Sequence, residues 1–313
     1  MAVAPRANPA DHFSPAEWAA LTARSSWRGL WLVAHCWGVI AGAMVMAVLW
    51  PVTIPLAVLI IGTRQLGLFI LMHDGAHGLL HANRRVNDAL ALWFCSATLH
   101  AYRPYHLQHH RYVQQAEDPD LGLSAPFPIT RDSLRRKMLR DVTGQTFYKQ
   151  RIAPLLSDLR TLGARRTAAA TGSPLQRQSQ ELVRGWRFVI GNALGLAVFA
   201  LAGCAWVWLV LWLLPMATWL PLVTRIRNIA EHALVGRDQV DPLRQARTTH
   251  ANGLARAFVA PYWVNYHLEH HLFTQLPCWQ LPQAHALLRQ RGTAARMELQ
   301  PGYGTVLRLA STP

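Results

Sequence analysis

Cysteine is scarce in this chain, with four residues among 313. Cys36, Cys95, Cys204 and Cys278 lie far apart and form no Cys-x-x-Cys pair, which excludes the common cysteine-based redox and zinc motifs. Most of them stand in apolar surroundings. We therefore expect buried free thiols.

Acidic residues are also few, with 16 Asp and Glu against 31 Lys and Arg, a formal net charge of +15. Only 15% of the residues are charged and 51% are hydrophobic, an unusual balance for a soluble protein. The basic residues are nearly absent from the long apolar runs and crowd the segments between them, as on cytoplasmic loops of membrane proteins. No nucleic-acid-binding motif accompanies the charge, so we expect a membrane and no nucleic acid as partner.

A leading apolar segment is lacking as well. Met1–Ala23 is polar and contains three prolines, so no cleavable signal peptide is predicted. We expect residues 1–26 to form a cytoplasmic tail.

Four apolar segments are present, each close to the roughly 20 residues that a helix needs to cross the hydrocarbon core. They predict an all-α integral membrane protein of two transmembrane helical hairpins. The predicted spans are about 27–49, 52–72, 187–203 and 206–224. The first pair is joined near Pro51–Pro55, and the second turns near Ala202–Trp206 or at Leu214 and Pro215.

Charge predicts the orientation of these spans. Neither predicted turn carries Lys or Arg, whereas Thr130–Arg187 carries thirteen, so the positive-inside rule places both termini and the central loop in the cytoplasm. The membrane domain is predicted at 27–290, with a cytoplasmic helical cap at 73–186 and 225–290 and a cytoplasmic tail at 291–313. Six tryptophans near helix ends fit an interfacial belt or core packing equally well: Trp27, Trp31, Trp50, Trp186, Trp206 and Trp219.

Arg64 is the exception to this segregation of charge, whereas the central loop follows it. Arg131–Gln180 is basic with polar clusters, which indicates a surface loop with short helices. Arg64 lies inside the second apolar run, where a charge is either functional or extends towards the interface.

Most of the fifteen histidines fall into three clusters. His73 and His77 follow the second apolar run, and residues four apart share a helix face. His-x-x-His-His occurs twice, and in each copy positions i, i+3 and i+4 project from one helical side. These copies comprise His106, His109 and His110, and His267, His270 and His271.

A fourth element, Asn228 to His232, adds a ninth imidazole and an amide oxygen that could reach a metal directly or through water. Burying so many imidazoles needs a compensating centre, and a metal is the natural one. Zinc usually takes four ligands, and His-Glu-x-x-His is absent. Imidazole also suits iron, copper and nickel, so residue type alone leaves the metal open. Two ions would use all nine rings.

These four elements resemble the histidine boxes of membrane fatty acid desaturases in order, spacing and placement after two hydrophobic hairpins. The resemblance covers about 27–290, and Asp118-Pro119-Asp120 and Asn265-Tyr266-His267 resemble the bacterial branch. It implies two non-haem iron ions, O2 as co-substrate, and electrons from an external donor such as ferredoxin. It also implies a bacterial inner membrane with the active site on the cytoplasmic side.

Residues beside the boxes have less certain roles. Glu269 faces away from the ligand side, which favours support of a ligand or a surface position. Asp74, Asp118, Asp120 and Glu231 are expected to orient ring N–H groups. His81 continues the i+4 series and is a candidate extra ligand. The other histidines are expected to be structural: His12, His35, His100, His250 and His285.

The sequence therefore favours an oxidoreductase that desaturates a fatty acyl chain. Hydroxylase, carotenoid ketolase and decarboxylase activities on the same scaffold remain open. The chain has no haem or nucleotide-binding motif, so electrons come from a separate protein. The basic surface is expected to attract anionic lipid, an acidic ferredoxin or an acyl carrier protein. A metal transporter or sensor is disfavoured because the histidines lie beyond the apolar runs, and a basic membrane-surface module leaves the box spacing unexplained.

Overall fold

The computed structural model describes residues 4–96, 98–124, 126–156, 186–237 and 240–312. The described chain is mostly helical. Its α-helices are α1 Pro15–Thr22, α2 Arg28–Leu49, α3 Ile54–His77, α4 Arg84–Ala89, α5 Leu99–Tyr112, α6 Leu121–Ser124, α7 Arg131–Val142, α8 Gln145–Phe147, α9 Trp186–Leu201, α10 Ala205–Trp208, α11 Leu214–Ala217, α12 Trp219–His232, α13 Gly253–Phe258, α14 His267–Leu272, α15 Leu281–Gln290 and α16 Tyr303–Leu309.

Shorter elements connect these helices. The 3₁₀ turns are Pro9–Asp11, Pro51–Thr53, Pro242–Arg244, Pro261–Trp263, Cys278–Gln280 and Thr293–Ala295, and the π-helical turns are Leu90–Cys95, Tyr148–Ile152 and Leu209–Leu213. Four two-residue strands form two parallel bridges: β1 Ile129–Thr130 with β4 Ser311–Thr312, and β2 Thr248–Thr249 with β3 Leu299–Gln300.

Three helical stretches are long and apolar enough to cross a membrane: Arg28–Leu49, Pro51–His77 and Ala205–His232. The remaining predicted span corresponds to α9, which has 16 residues and is shorter than a typical crossing helix. The chain turns between α9 and α10 at Gly203, whose φ is +74°. The alternative turn at Leu214 and Pro215 is wrong, because helical structure continues through both residues.

A polar belt crosses the membrane helices partway along α3. Trp219 Nε1 donates to Thr63 Oγ1 (2.9 Å), Arg64 donates to the carbonyl of Ala257 (3.2 Å), and Gln65 donates to the carbonyl of Trp212 (2.8 Å). Arg64 is 9% exposed and stacks over a tyrosine ring. It therefore anchors the end of α13 to α3 and does not extend into solvent.

Among the described residues, the tryptophans of the predicted belt differ in exposure. Trp27, Trp31, Trp50 and Trp206 expose between 41% and 63% of their surface, as residues at an interface would. Trp219 instead packs against α3 at Gly62. The side chain of Trp186 lies outside the described residues, as does the predicted loop from residue 157 to residue 180.

Residues near both chain ends pack into apolar cores. Phe13 and Leu21 are buried in the main apolar core, and Val306 and Ala310 pack in a smaller core with Leu134. Isolated apolar residues in a polar stretch produce no periodic pattern. The sequence alone therefore does not identify them as core residues, because the surfaces they pack against come from distant parts of the chain.

Candidate metal centre

The first imidazole group lies where α3, α5 and α14 meet. His73 and His77 come from α3, His106 and His110 from α5, and His270 from α14, with ligand nitrogens all within 4.8 Å of one another. Neighbouring Nε2 atoms are separated by 2.9 Å (His77 to His106), 2.8 Å (His106 to His110) and 2.9 Å (His110 to His270). The five rings thus converge on one point.

The second group lies where α5, α12 and α14 meet. It contains His109, His232, His267 and His271, whose ligand nitrogens are again within 4.8 Å of one another. The Nε2 atom of His267 is 2.8 Å from that of His232 and 3.1 Å from that of His271, and His109 lies 3.3 Å from His271.

Each His-x-x-His-His box is divided between the two groups. In α5, His106 and His110 enter the first group and His109 enters the second, whereas in α14 His270 enters the first and His267 and His271 the second. Successive helix positions differ by about 100°, so adjacent histidines diverge while residues four apart stay together. One box can therefore serve two neighbouring ions.

The nitrogen spacing fits metal coordination better than hydrogen bonding. His106 Nε2 lies within 3 Å of two other Nε2 atoms, yet a ring nitrogen has either one N–H or one lone pair. Imidazole–metal bonds of about 2.0–2.1 Å at right angles place neighbouring nitrogens roughly 3 Å apart. Each group is thus shaped for one ion.

The electrostatics of the rings suit metal binding. Burial, followed by the charges of neighbouring rings, holds the pKa well below its ordinary value for five imidazoles outside the long apolar helices. These are His106, His110, His267, His270 and His271. Neutral imidazoles keep the lone pair that a metal requires.

His109 differs because it has carboxylate partners. Burial lowers its pKa, but the hydrogen bond to Asp118 and the charge of Asp120 outweigh burial and leave the pKa raised. Nδ1 of His109 donates to Asp118 Oδ1 over 2.8 Å, since a carboxylate only accepts. The Nε2 lone pair is thereby directed at the second group. Asp118 is held in turn by the backbone N–H groups of Gln114 and Asp120.

Three other acids near the boxes were expected to orient ring N–H groups. Asp74 lies 3.5 Å from His73 Nδ1 and accepts from the backbone N–H of Cys278. Asp120 lies 3.8 Å from His109 Nδ1. Glu231 approaches His267 at Nε2, the nitrogen directed at the group, over 3.6 Å, and accepts from Arg227, which is four residues earlier on α12.

Glu269 is fully buried, so the surface position considered for it is wrong. It accepts from His285 Nδ1 over 2.5 Å and from the Thr248 hydroxyl, and so braces α14 on the side away from the rings. Local sequence gave no sign of these partners, because Thr248 lies 21 residues from Glu269 in the chain.

His81 lies outside both groups and accepts from the backbone N–H of Asn83. The i+4 series fails there because α3 ends at His77 and Gly78 is left-handed, with φ +76°. Asn228 lies beside His232 and His267 in the lining of a small cavity of about 30 Å³, near the second group.

A larger cavity of about 480 Å³ adjoins the imidazoles. Its wall includes His73 of the first group and His267 of the second. The remaining lining combines apolar side chains with polar ones from α5, α8, the Tyr148–Ile152 turn and α12. The apolar side chains include Leu66, Phe69, Ile70, Phe188, Met216 and Leu220, and the polar ones include Thr146, Gln150, Thr224 and Arg225.

Comparison with known proteins matches residues 49–302 to the family model described as fatty acid desaturase. The chain belongs to the fatty acid desaturase family. The matched residues include all nine clustered histidines and Asn228. The resemblance noted in the sequence is confirmed, and this desaturase-family chain is a membrane oxidoreductase.

Two characterised relatives are similar over most of their length. Dihydrorhizobitoxine desaturase of Bradyrhizobium elkanii is 28% identical over 258 residues, which cover 80% of this chain and 70% of the relative. Beta-carotene ketolase of Paracoccus sp. (strain PC1) is 23% identical over 235 residues, which cover 70% of this chain and 74% of the relative. The desaturase family thus includes relatives whose names denote different oxidations.

Proposed function

We propose that this protein introduces a carbon–carbon double bond into the acyl chain of a lipid, using O2 and electrons from a separate donor protein. The observation that carries the proposal is the 480 Å³ cavity, whose wall contains a histidine from each group. A chain lying in it would pass both candidate metal positions.

The nine imidazoles would hold two non-haem iron ions, with Asn228 as a candidate further ligand to the second. Iron bound there supplies the O2-derived oxidant needed to break an unactivated C–H bond. His73 and His77 with His106, His110 and His270 would bind one ion; His109 with His232, His267 and His271 would bind the other.

The protein's own contribution is binding, orientation and exclusion of water. Leu66, Phe69 and Leu220 give the cavity apolar walls that suit methylene groups, and a dry site protects a strong oxidant from side reactions. Asp118 fixes the His109 ring, and Glu269 braces the helix that carries the third box.

A ketolase or hydroxylase is the second candidate, supported by the named activity of the Paracoccus relative. The same oxidant serves all these reactions, and the placement of the substrate decides the product. We favour an acyl substrate because Thr146, Gln150, Thr224 and Arg225 give one side of the cavity a polar character suited to a head group.

We further infer an inner-membrane protein with both termini and the active site in the cytoplasm. The thirteen basic residues of Thr130–Arg187 support this orientation through the positive-inside rule. A metal transporter or sensor is less consistent with an apolar cavity beside the metal positions.

The test is lipid analysis by mass spectrometry, with double-bond localisation, of cells that express the protein or its His270→Ala variant. A new unsaturated species in the wild type alone is expected. An oxygenated or shortened product would assign the chain to another reaction of the family, and an unchanged product in the variant would refute the metal assignment.

A further inference from the structure

The two cavities beside the imidazoles share part of their walls. The small cavity of about 30 Å³ is lined by His106 of the first group and His109 of the second, so it faces both candidate metal positions. It has room for about two water-sized molecules, which excludes a lipid chain. Five side chains, which we call the partition, line both the small cavity and the large one: Tyr102, Leu123, Arg227, Asn228 and His267.

The partition has a specific task if the proposed function, on which this inference rests, is correct. The balance is R–CH2–CH2–R′ + O2 + 2 e⁻ + 2 H⁺ → R–CH=CH–R′ + 2 H2O, with the two electrons supplied by the separate donor protein. Methylenes along an acyl chain are chemically alike, so reactivity alone does not select a pair of them. Two adjacent methylenes must face the small cavity while the others are kept from it. The side chain that shapes the opening in the partition therefore selects the site of oxidation.

Most of the partition is held by contacts of its own. The Tyr102 ring stacks on that of His106, with centroids 5.1 Å apart and an angle of 10° between the planes. Arg227 Nε donates to Glu231 over 2.6 Å. His267 belongs to the second group of imidazoles. These three side chains are committed to the metal site and its support.

Leu123 is the one aliphatic side chain of the partition. It exposes 52% of its surface, and it belongs to neither apolar core of the described chain. Asn228, by contrast, is a candidate metal ligand, so a change there would alter the metal site itself. Leu123 can therefore be shortened without opening a hole in a core or removing a ligand.

The backbone that carries Leu123 is nevertheless anchored to the metal site. Its N–H donates to the carbonyl of Asp120 over 2.9 Å, and the Tyr105 hydroxyl donates to the carboxylate of the same aspartate. The backbone N–H of Asp120 donates in turn to Asp118, which accepts from His109. A chain of hydrogen bonds thus fixes the position of Leu123 relative to the second group.

We propose that Leu123 determines which methylenes of the acyl chain are oxidised, because its side chain closes the partition to all but one stretch of the chain. A missing methylene in an apolar site changes discrimination by about 10- to 200-fold. Shortening Leu123 should therefore admit neighbouring methylenes to the small cavity.

The test is the position of the double bond in lipids of cells that express the full-length protein, localised by mass spectrometry. Leu123→Ala removes most of the side chain, and Leu123→Val removes a single methylene. Leu123→Met keeps the volume. The matched control is Leu139→Ala, a leucine 59% exposed on α7 that lines neither cavity.

We expect Leu123→Ala to raise the share of neighbouring positional isomers at least tenfold, with iron content unchanged. Leu123→Val should change the isomer ratio in the same direction. Leu123→Met and Leu139→Ala should keep the wild-type position. An unchanged ratio in both shortened variants would overturn the proposal, as would an equal change of the ratio in Leu139→Ala.

A second measurement separates this proposal from the proposed function, because it needs no turnover. Wild type and Leu123→Ala are loaded with Mn²⁺ in nanodiscs, uniformly ¹³C-labelled palmitic acid is added, and the NMR relaxation of each carbon reports its distance from the metal. In the wild type one short stretch of carbons should relax fastest. In Leu123→Ala this maximum should spread along the chain.

The same relaxation profile in both proteins, or no localised maximum in the wild type, would overturn the proposal. A localised maximum that spreads in Leu123→Ala, found together with no new unsaturated lipid, would refute the proposed function and support selection by Leu123. If the product carries oxygen and no double bond, desaturation is refuted, and the position of the oxygen tests Leu123 in the same way.

Discussion

At the residue scale, the two nitrogens of one imidazole have separate tasks. His109 donates from Nδ1 to Asp118 and directs Nε2 at the second group. Partners of this kind fix the tautomer and orientation of a ligand and raise its basicity. The metal affinity of the second group therefore depends on a residue that touches no metal.

Replacing Asp118 by Asn tests this dependence. The amide can present its NH2 to Nδ1 and so favour the wrong tautomer. We expect metal affinity to fall by about 10- to 100-fold, as measured by chelator competition. Asp132→Asn, a side chain 75% exposed on α7, is the control and should bind as the wild type does. Unchanged metal affinity in Asp118→Asn would contradict the proposal that Asp118 orients the His109 ring.

The ligand assignment makes a second prediction at this scale. His270→Ala removes one nitrogen from the first group, so bound iron should fall by about one ion per chain, measured by elemental analysis of purified protein. His81→Ala should keep its iron, because His81 lies outside both groups. Iron loss in His81→Ala with retention in His270→Ala would reverse the assignment.

Spacing predicted which histidines gather but not every neighbour that holds them. Box residues share a helix face, so their convergence follows from helix geometry. Thr248 and His285 reach Glu269 through tertiary contacts across 21 and 16 residues. No local sequence pattern predicts such contacts.

At the element scale, a continuous helix connects an apolar, membrane-spanning stretch directly to the site. α3 runs from Ile54 to His77 without a break, so its polar belt and its two ligands form one rigid unit. The sequence predicted this continuation, because the apolar run leads directly into the first box. The boundary between α9 and α10 was harder to place, since Trp and Leu continue through the turn.

The packing of α9 against α10 gives a prediction with an internal control. A Cβ at Gly195 would collide with the Trp208 ring, whereas one at Gly191 meets nothing within 4 Å. Gly195→Ala should lower the free energy of unfolding by about 1–3 kcal/mol through overpacking. Gly191→Ala should raise it by up to about 1 kcal/mol through helix propensity.

Thermal unfolding in nanodiscs measures both variants of α9. Opposite shifts of Tm are expected. Equal shifts in the two variants would show that α9 does not pack closely on Trp208.

At the scale of the whole molecule, the two groups join distant parts of the chain. Their histidines come from α3, α5, α12 and α14, and α3 and α12 belong to the long apolar stretches Pro51–His77 and Ala205–His232. Bound metal would therefore crosslink these stretches to the shorter helices α5 and α14. The sequence predicted this arrangement through the boxes, but it did not predict that residues near both chain ends pack into apolar cores.

Removing iron should destabilise the whole protein. A ligand at about a thousandfold excess over its Kd adds about 4 kcal/mol to the free energy of unfolding. Chelation should lower Tm accordingly, measured by calorimetry, and added Fe²⁺ should restore it. In His270→Ala the shift should be smaller, and a shift as large as that of the wild type would mean that the first group holds no metal.

The division of the boxes between two groups also has a temporal consequence during synthesis. Four of the five rings of the first group lie within the first 110 residues, whereas three of the four rings of the second come after residue 231. A ribosome-bound chain can therefore gather most of the first group long before the second exists. Under the proposed function, a paired centre would form only after His271 has emerged, so the growing chain would carry no complete oxidising site.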